Sequence, residues 1–150
     1  MLIIGDKLRK ISYVLVICFT SVQSVKAQEF IQEKEDLIRV DSSFMSYLKN
    51  DRIISAASSV TKHMRLDNEQ SKRFSSNLSV QMAMVGSRLG EVIEFERFSV
   101  SEPTDYLFEV RYILKYEFGY ILFCFRHYMN ENGWFIMNIE WEENAALQND

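Results

Sequence analysis

The sequence predicts an α+β domain: three N-terminal helices packed on a curved, four-stranded antiparallel sheet. Three observations predict it. Up to Gly90 the apolar residues recur at helical spacings of three, four and seven. Beyond Glu91 they alternate, and most of the aromatic residues, from Phe95 to Trp141, lie there, which suits strands. Turn-forming residues then divide this second half at Pro103, at Gly119 and at the run NENG.

The first 27 residues stand apart from the fold. Lys7, Arg9 and Lys10 precede the apolar run ISYVLVICFT, and small residues follow. That order describes a secretory signal peptide, with Val25 and Ala27 before the cut and Gln28 opening the mature chain. The apolar run is about half of the ~20 residues that a spanning helix needs. Acylation at Cys18 is disfavoured by the bulky Ile17 and Phe19 on either side. Residues 28–150 then make one domain, exported to the periplasm or the medium.

Cleavage removes four basic residues (Lys7, Arg9, Lys10, Lys26) and one acidic residue (Asp6), so the formal charge of −4 becomes −7. A nucleic-acid binder needs a basic patch, and phosphate would be repelled here. Cys124 alone remains after cleavage, so no internal disulfide is expected. His63 and His127 lie 64 positions apart, which is not metal-ligand spacing, and no cofactor motif is present.

Along the mature chain, Phe30, Leu37, Phe44 and Leu48, with Ile31, Ile38 and Met45 beside them, make the apolar face of a long first helix. KND ends it. Asp51 can cap a second helix through Ile53, Ala57, Val60 and Met64. Asp67 can cap a third, whose face is Phe74, Leu78, Met82, Val85 and Leu89, with Gly90 as its stop. His63, with Lys62 and Arg65, complements the dipole at the end of the second helix.

The first strand, VIEFERFSV, alternates imperfectly. Ile93 and Phe95 share one face, Phe98 and Val100 the other, and a bulge near Arg97 reconciles them. Pro103 marks the turn into a cleanly alternating strand with Tyr106, Phe108, Val110, Tyr112, Leu114 and Tyr116 on one face. A two-residue turn at Phe118–Gly119 pairs Tyr116 with Ile121, Leu114 with Phe123, Tyr112 with Phe125 and Val110 with His127. It also sets Arg111 opposite Arg126, which is unfavourable. NENG turns into the last strand, WFIMNIEWE.

The three helices followed by LGEVIEFERFSV, YLFEVRYILKYEFGYILFCFRHY and NGWFIMNIEWEE resemble the nuclear transport factor 2-like, or cystatin-like, superfamily. The likeness is greatest to its small exported members of unassigned function. The resemblance implies a cone-shaped fold with a cavity between the concave sheet and the helices. It also implies that the outer sheet face can form a dimer. The superfamily holds isomerases, dehydratases, polyketide cyclases and non-enzymatic binders, so the fold does not choose a function. No isomerase-type pair of Asp base and Tyr donor is placed by motif.

Cys124 and His127 are an odd number of positions apart, so they point to opposite sides of one strand and cannot form a dyad. His127 faces the helices. An even-length NENG loop places Trp134, Ile136, Asn138 and Glu140 on the same face; an odd one reverses all four. The even case gives a ligand pocket of Tyr112, Phe125, His127 and Asn138, with His127 and Glu140 as the acid–base candidates. It also leaves Ile113, Leu122, Cys124, Phe135, Met137, Ile139 and Trp141 as an outer apolar patch suited to a homodimer. Serine-rich runs lack the Gly-x-Ser-x-Gly elbow of a hydrolase. The sequence thus points to an exported, non-catalytic module that binds a small apolar ligand or a protein. Its rival is an isomerase or dehydratase of the ketosteroid-isomerase-like type.

Overall fold

The structure is a computed structural model that describes residues 29–145. The expected signal segment and the cut expected after Ala27 lie outside the described residues. Three helices, α1 (Lys34–Lys49), α2 (Ile53–Thr61) and α3 (Asn68–Leu89), precede four strands. These are β1 (Val92–Thr104), β2 (Leu107–Tyr116), β3 (Gly119–Asn130) and β4 (Gly133–Ala145), paired antiparallel in the order β1-β2-β3-β4. Among the described residues no helix is long and apolar enough to cross a membrane.

Helix α1 begins later than its apolar spacing suggests. Ile31 is extended and exchanges backbone hydrogen bonds with Trp134, at 3.0 and 2.7 Å, so Phe30 and Ile31 cover the start of β4. The buried face of α1 is Leu37, Asp41, Phe44, Met45 and Leu48. Asp51 does not cap α2; Arg52 occupies that position. Asp51 instead takes a left-handed conformation (φ 54°), and its N–H donates to the Leu48 carbonyl at 3.1 Å. It closes α1 where an orphan carbonyl needs a donor, and Asp tolerates that conformation better than most residues. Asp67 caps α3, as expected, and does so in a reciprocal capping box with Gln70; Gly90 ends the helix at φ 81°. Met64 lies past α2, bridging to Ile136.

The sheet keeps most expected facings and corrects several pairings. The bulge near Arg97 is present, with Phe98 as the extra residue and 60% exposed. A second irregularity makes Ile93 an extra residue, 56% exposed, so it does not share the face of Phe95. Phe95 and Val100 instead lie opposite the inward Leu114 and Val110. The turn into β2 is at Asp105–Tyr106, beyond Pro103, which leaves Tyr106 outside the strand. The β2–β3 turn is Glu117–Phe118, one position earlier than expected. Every pair therefore slides by two: Tyr112 faces Phe123, Val110 faces Phe125 and Phe108 faces His127. An even slip preserves sidedness. It also removes the Arg111–Arg126 clash, because Arg126 now stands opposite Glu109.

The loop into β4 is even, two residues at Glu131–Asn132, and Trp134 and Ile136 turn inward as expected. The second half of β4 departs. His127 pairs with Ile136 but Arg126 pairs with Asn138, so Met137 is an extra residue, 48% exposed. One inserted residue reverses the alternation beyond it. Ile139 and Trp141 consequently pair with the inward Phe125 and Phe123, while Asn138 and Glu140 pair with the outward Arg126 and Cys124. Burial of Ile139 and Trp141 in the apolar core, against exposure of two polar groups, favours this register.

Candidate functional site

Among the described residues the interior holds one acid–base pair. His127 on β3 sets Nε2 3.0 Å from Oδ2 of Asp41 on α1, and 3.2 Å from Oδ1; both side chains are 0% exposed. Asp41 reaches this place because it follows Leu37 by four and precedes Phe44 by three, on the core face of α1. That position is the signal the sequence offered. Nothing in the sequence ties it to a histidine 86 positions away. Burial pushes the Asp41 carboxyl above its ordinary value of 3.8; the His127 hydrogen bond and the charges of His127 and His63 oppose that shift. Nδ1 of His127 finds no hydrogen-bond partner among the described residues. Phe108 stacks on the imidazole at 4.2 Å and 13°, which closes one ring face.

Tyr112 is beside the pair. Its hydroxyl and that of Ser42 are 2.8 Å apart, and it donates more weakly to the Ile38 carbonyl at 3.4 Å. Burial raises the phenol, and the Ser42 hydrogen bond opposes the rise. Aromatic packing fills the adjacent interior. Phe44 meets Phe123 and Phe125 edge-on, at 5.7 and 5.4 Å. Above Phe108, Lys34 reaches over the rings of Phe108 and Trp134, at 5.7 and 5.2 Å, and pairs with Glu102 at 2.7 Å. This contact ties α1 to the far end of β1 over the buried aromatics.

The structure thus brings together Tyr112, Phe125 and His127, and separates Asn138 and Glu140 from them. Glu140 accepts from Arg126 (2.8 Å) and from Asn138 (2.8 Å) on the outer face. The carboxylate beside His127 is Asp41, the residue sequence reading passed over.

The outer face is correspondingly less apolar than an uninterrupted β4 would make it. Leu122, Cys124 and Ile113 remain there, half-buried, with the exposed Met137. Phe135 is buried against Phe30 and Tyr128. Trp141 packs on Phe74 and Phe123 and donates its indole N–H to Gln81 at 2.6 Å. Charges fill the remaining outer positions. Arg126 bonds Glu109 at 2.7 Å, and Lys115 bridges Glu94 and Glu96 at 3.1 and 3.2 Å. Arg111, Leu122, Cys124, Arg126, Glu140, Trp141 and Glu142 line an open cleft of about 410 Å³. Burial and the neighbouring Glu109 push the Cys124 thiol up, against the pull of Arg111 and Arg126.

His63 belongs to the fold. Its ring Nδ1 lies 3.0 Å from the Glu29 carbonyl, and its own carbonyl accepts from the Ile136 N–H, so it ties the segment before α1 to β4. Among the described residues no group of three His, Cys, Asp or Glu side chains gathers to hold a metal.

No family model matches the chain, and no curated protein matches it. Among solved structures it is similar to a chain from Campylobacter jejuni assigned as an NTF2-like transpeptidase, at 14% identity and a TM-score of 0.46. The match covers 69% of this chain and 96% of the other. At that identity the likeness is one of fold alone.

Proposed function

We propose that this protein is a non-catalytic binding or interaction module that works after export, with its signal peptide removed after Ala27. One observation carries the non-catalytic part: the interior acid–base pair, His127 and Asp41, is wholly withdrawn from solvent. A general base must come within hydrogen-bond reach of its substrate, directly or through one water. Here stacked and edge-on aromatic rings occupy that approach. The pair then serves as a polar clasp between α1 and β3, and recognition falls to the surface. Labelling the folded mature protein with diethylpyrocarbonate tests this. His127 should stay unmodified until the chain is denatured; modification at the rate of a free imidazole would overturn the reading. Mass spectrometry of the exported protein should find Gln28 at the N-terminus, and an intact Met1 would refute export.

A homodimer through the outer sheet face is part of the same proposal. Its support is the half-buried apolar floor of Leu122 and Cys124 in the outer cleft. Trp141 packs inward, so Leu122→Lys is the variant to use. It should convert a dimer into a folded monomer in light scattering; a monomeric parent chain at high concentration would remove this part.

A second reading has one specific observation in its favour. His127 and Asp41 form a buried imidazole–carboxylate pair with the Tyr112 hydroxyl nearby, which suits an isomerase or dehydratase for a small apolar substrate if the Lys34–Glu102 contact opens. A thermal-shift screen of small apolar carbonyl compounds tests it. A hit turned over by the parent chain and slowed ~10²–10⁴-fold by His127→Asn would establish this reading over the first.

A further inference from the structure

A cleft of about 320 Å³ opens at the opposite end of the fold from Lys34, where three helix ends meet the start of β1 and the end of β2. Its walls are Leu48 and Lys49 at the end of α1, Asp51, Ile53 at the start of α2, Met82 and Gly86 on α3, and Gly90 just past its end. Glu91 and Val92 lead into β1, and Tyr116 closes the floor from β2. The lining combines an apolar base with a negative rim. Asp51 and Glu91 make no ion pair among the described residues. The C-termini of α1 and α3 point their partial negative charge at the same place. Lys49 and the N-terminus of the short α2 oppose this with one cation and one partial positive charge.

Two further observations mark the cleft as a place for a ligand. Tyr116 is only 6% exposed, yet its hydroxyl has a single partner, the Met82 thioether at 3.9 Å. Sulfur is a weak acceptor, and no nitrogen or oxygen among the described residues meets this phenol. Burial, with the charges of Glu143 and Asp51, pushes the phenol up to about 12, so it is neutral and has a lone pair to offer an N–H donor. The second observation is Gly86. Glycine near the end of a helix is costly relative to alanine, and a common reason to keep one is close packing. At Gly86 a Cβ would meet nothing within 4 Å. Gly86 is one of the residues lining the cleft, so a side chain there has open space beside it.

We infer that this cleft binds a small primary alkylammonium ion. Its ammonium head sits between Asp51, Glu91 and the Tyr116 hydroxyl, and its stem lies on Ile53, Met82 and Val92. The carboxylates exclude an anion, and the apolar base favours a stem of several carbons over a bare inorganic cation. The cleft is remote from His127, so the inference stands whether or not the interior pair ever opens.

Calorimetry and methionine-methyl NMR on the mature protein test it, with hexylammonium as the probe. Hexanol and hexanoate share its stem and serve as comparisons. Saturable hexylammonium binding that shifts the Met82 methyl is expected, with hexanol and hexanoate at least about tenfold weaker. Asp51→Asn keeps a residue that accepts the left-handed backbone, and it should weaken binding about tenfold. Gly86→Leu should abolish binding by filling the cleft while leaving the thermal midpoint intact or raised. Equal affinity for hexanol, binding that survives in Gly86→Leu, or no saturable shift at Met82 would each overturn the assignment.

Discussion

The two faces of the sheet run along the same strands and are held by different physics. On the inner face, Phe108, Val110, Tyr112 and Leu114 of β2 and Ile121, Phe123 and Phe125 of β3 are almost wholly buried, and the buried imidazole of His127 is paired with the Asp41 carboxyl of α1. On the outer face, the next residues along, Glu109, Lys115 and Arg126, form an ionic ladder that stays in contact with water. The inner face is stabilised by area removed from water and by dense packing, each large per residue. The outer face gains only weak, salt-screened pair energies. The carboxylates record the difference. Asp41 inside is pushed above its ordinary value by burial, whereas Glu109 outside is drawn below its own, chiefly by the Arg126 hydrogen bond. Sidedness is therefore worth far more than any single polar contact, and the chain inserts Met137 in β4 to keep it.

A charge placed on the inner face breaks the comparison most severely. Ile139→Asp would set an unpaired carboxylate opposite Phe125, inside the core. The loss should exceed about 5 kcal/mol, enough that circular dichroism finds no cooperative unfolding transition. A variant as stable as the parent would show that the second half of β4 contributes little to the core.

Truncation of adjacent residues compares the faces directly. Phe125→Ala should cost about 3–5 kcal/mol in urea denaturation, whereas Leu122→Ala on the outer side should cost under about 1 kcal/mol in a monomeric sample. Similar losses would mean that the outer face is as closely packed as the inner one.

Asp41→Asn keeps an acceptor for Nε2 of His127 and removes the buried ionisable group. It should stabilise the protein by about 1 kcal/mol at pH 7. The sign follows from the raised carboxyl. Above 3.8 the unfolded chain has released a proton that the folded chain still holds, so this group makes stability fall as pH rises to its folded value, and flat beyond. The variant should lose that slope. An unchanged pH profile would place the proton elsewhere.

Glu109→Gln should give the smallest change, at most about 1 kcal/mol and shrinking with added salt. Its slope has the opposite sign. A carboxyl held below 4.5 stabilises the folded chain above that value, and the contribution disappears as pH falls through the folded value. A loss indifferent to salt would mean that the outer ladder is effectively buried.

Much of the fold was legible because it rests on local pattern. The core face of α3, its Asp67 cap and its Gly90 stop are all set within a few residues of one another. The facing of β2 follows from strict alternation, and even a turn misplaced by one position slid its partner by two and left every side chain on its expected face. Phe30 and Ile31 misled because their spacing continues the helical face, while the edge of β4, a hundred residues on, takes Ile31 into a backbone bridge.

The candidate site was legible only in halves. His127 facing inward, beside Tyr112 and Phe125, came from parity alone. Its partner did not. Asp41 stands in an apolar face, where a carboxylate is costly without a partner, and that cost pointed to a partner without naming it. Glu140 looked equally suitable because nothing in WFIMNIEWE shows where an extra residue falls.

By itself the sequence determined the order of elements, the faces of α3, β2 and β3, and the inward histidine, since each depends on neighbours a few positions away and on a fixed helical or strand period. Only the tertiary structure decided the pairing of His127 with Asp41, the reversal of β4 after Met137 and the opening of the cleft beside Gly86. Each of these balances contacts between elements far apart in the chain: core burial of Ile139 and Trp141 outweighs an unbroken ladder, and a helix set over a sheet decides which buried groups meet.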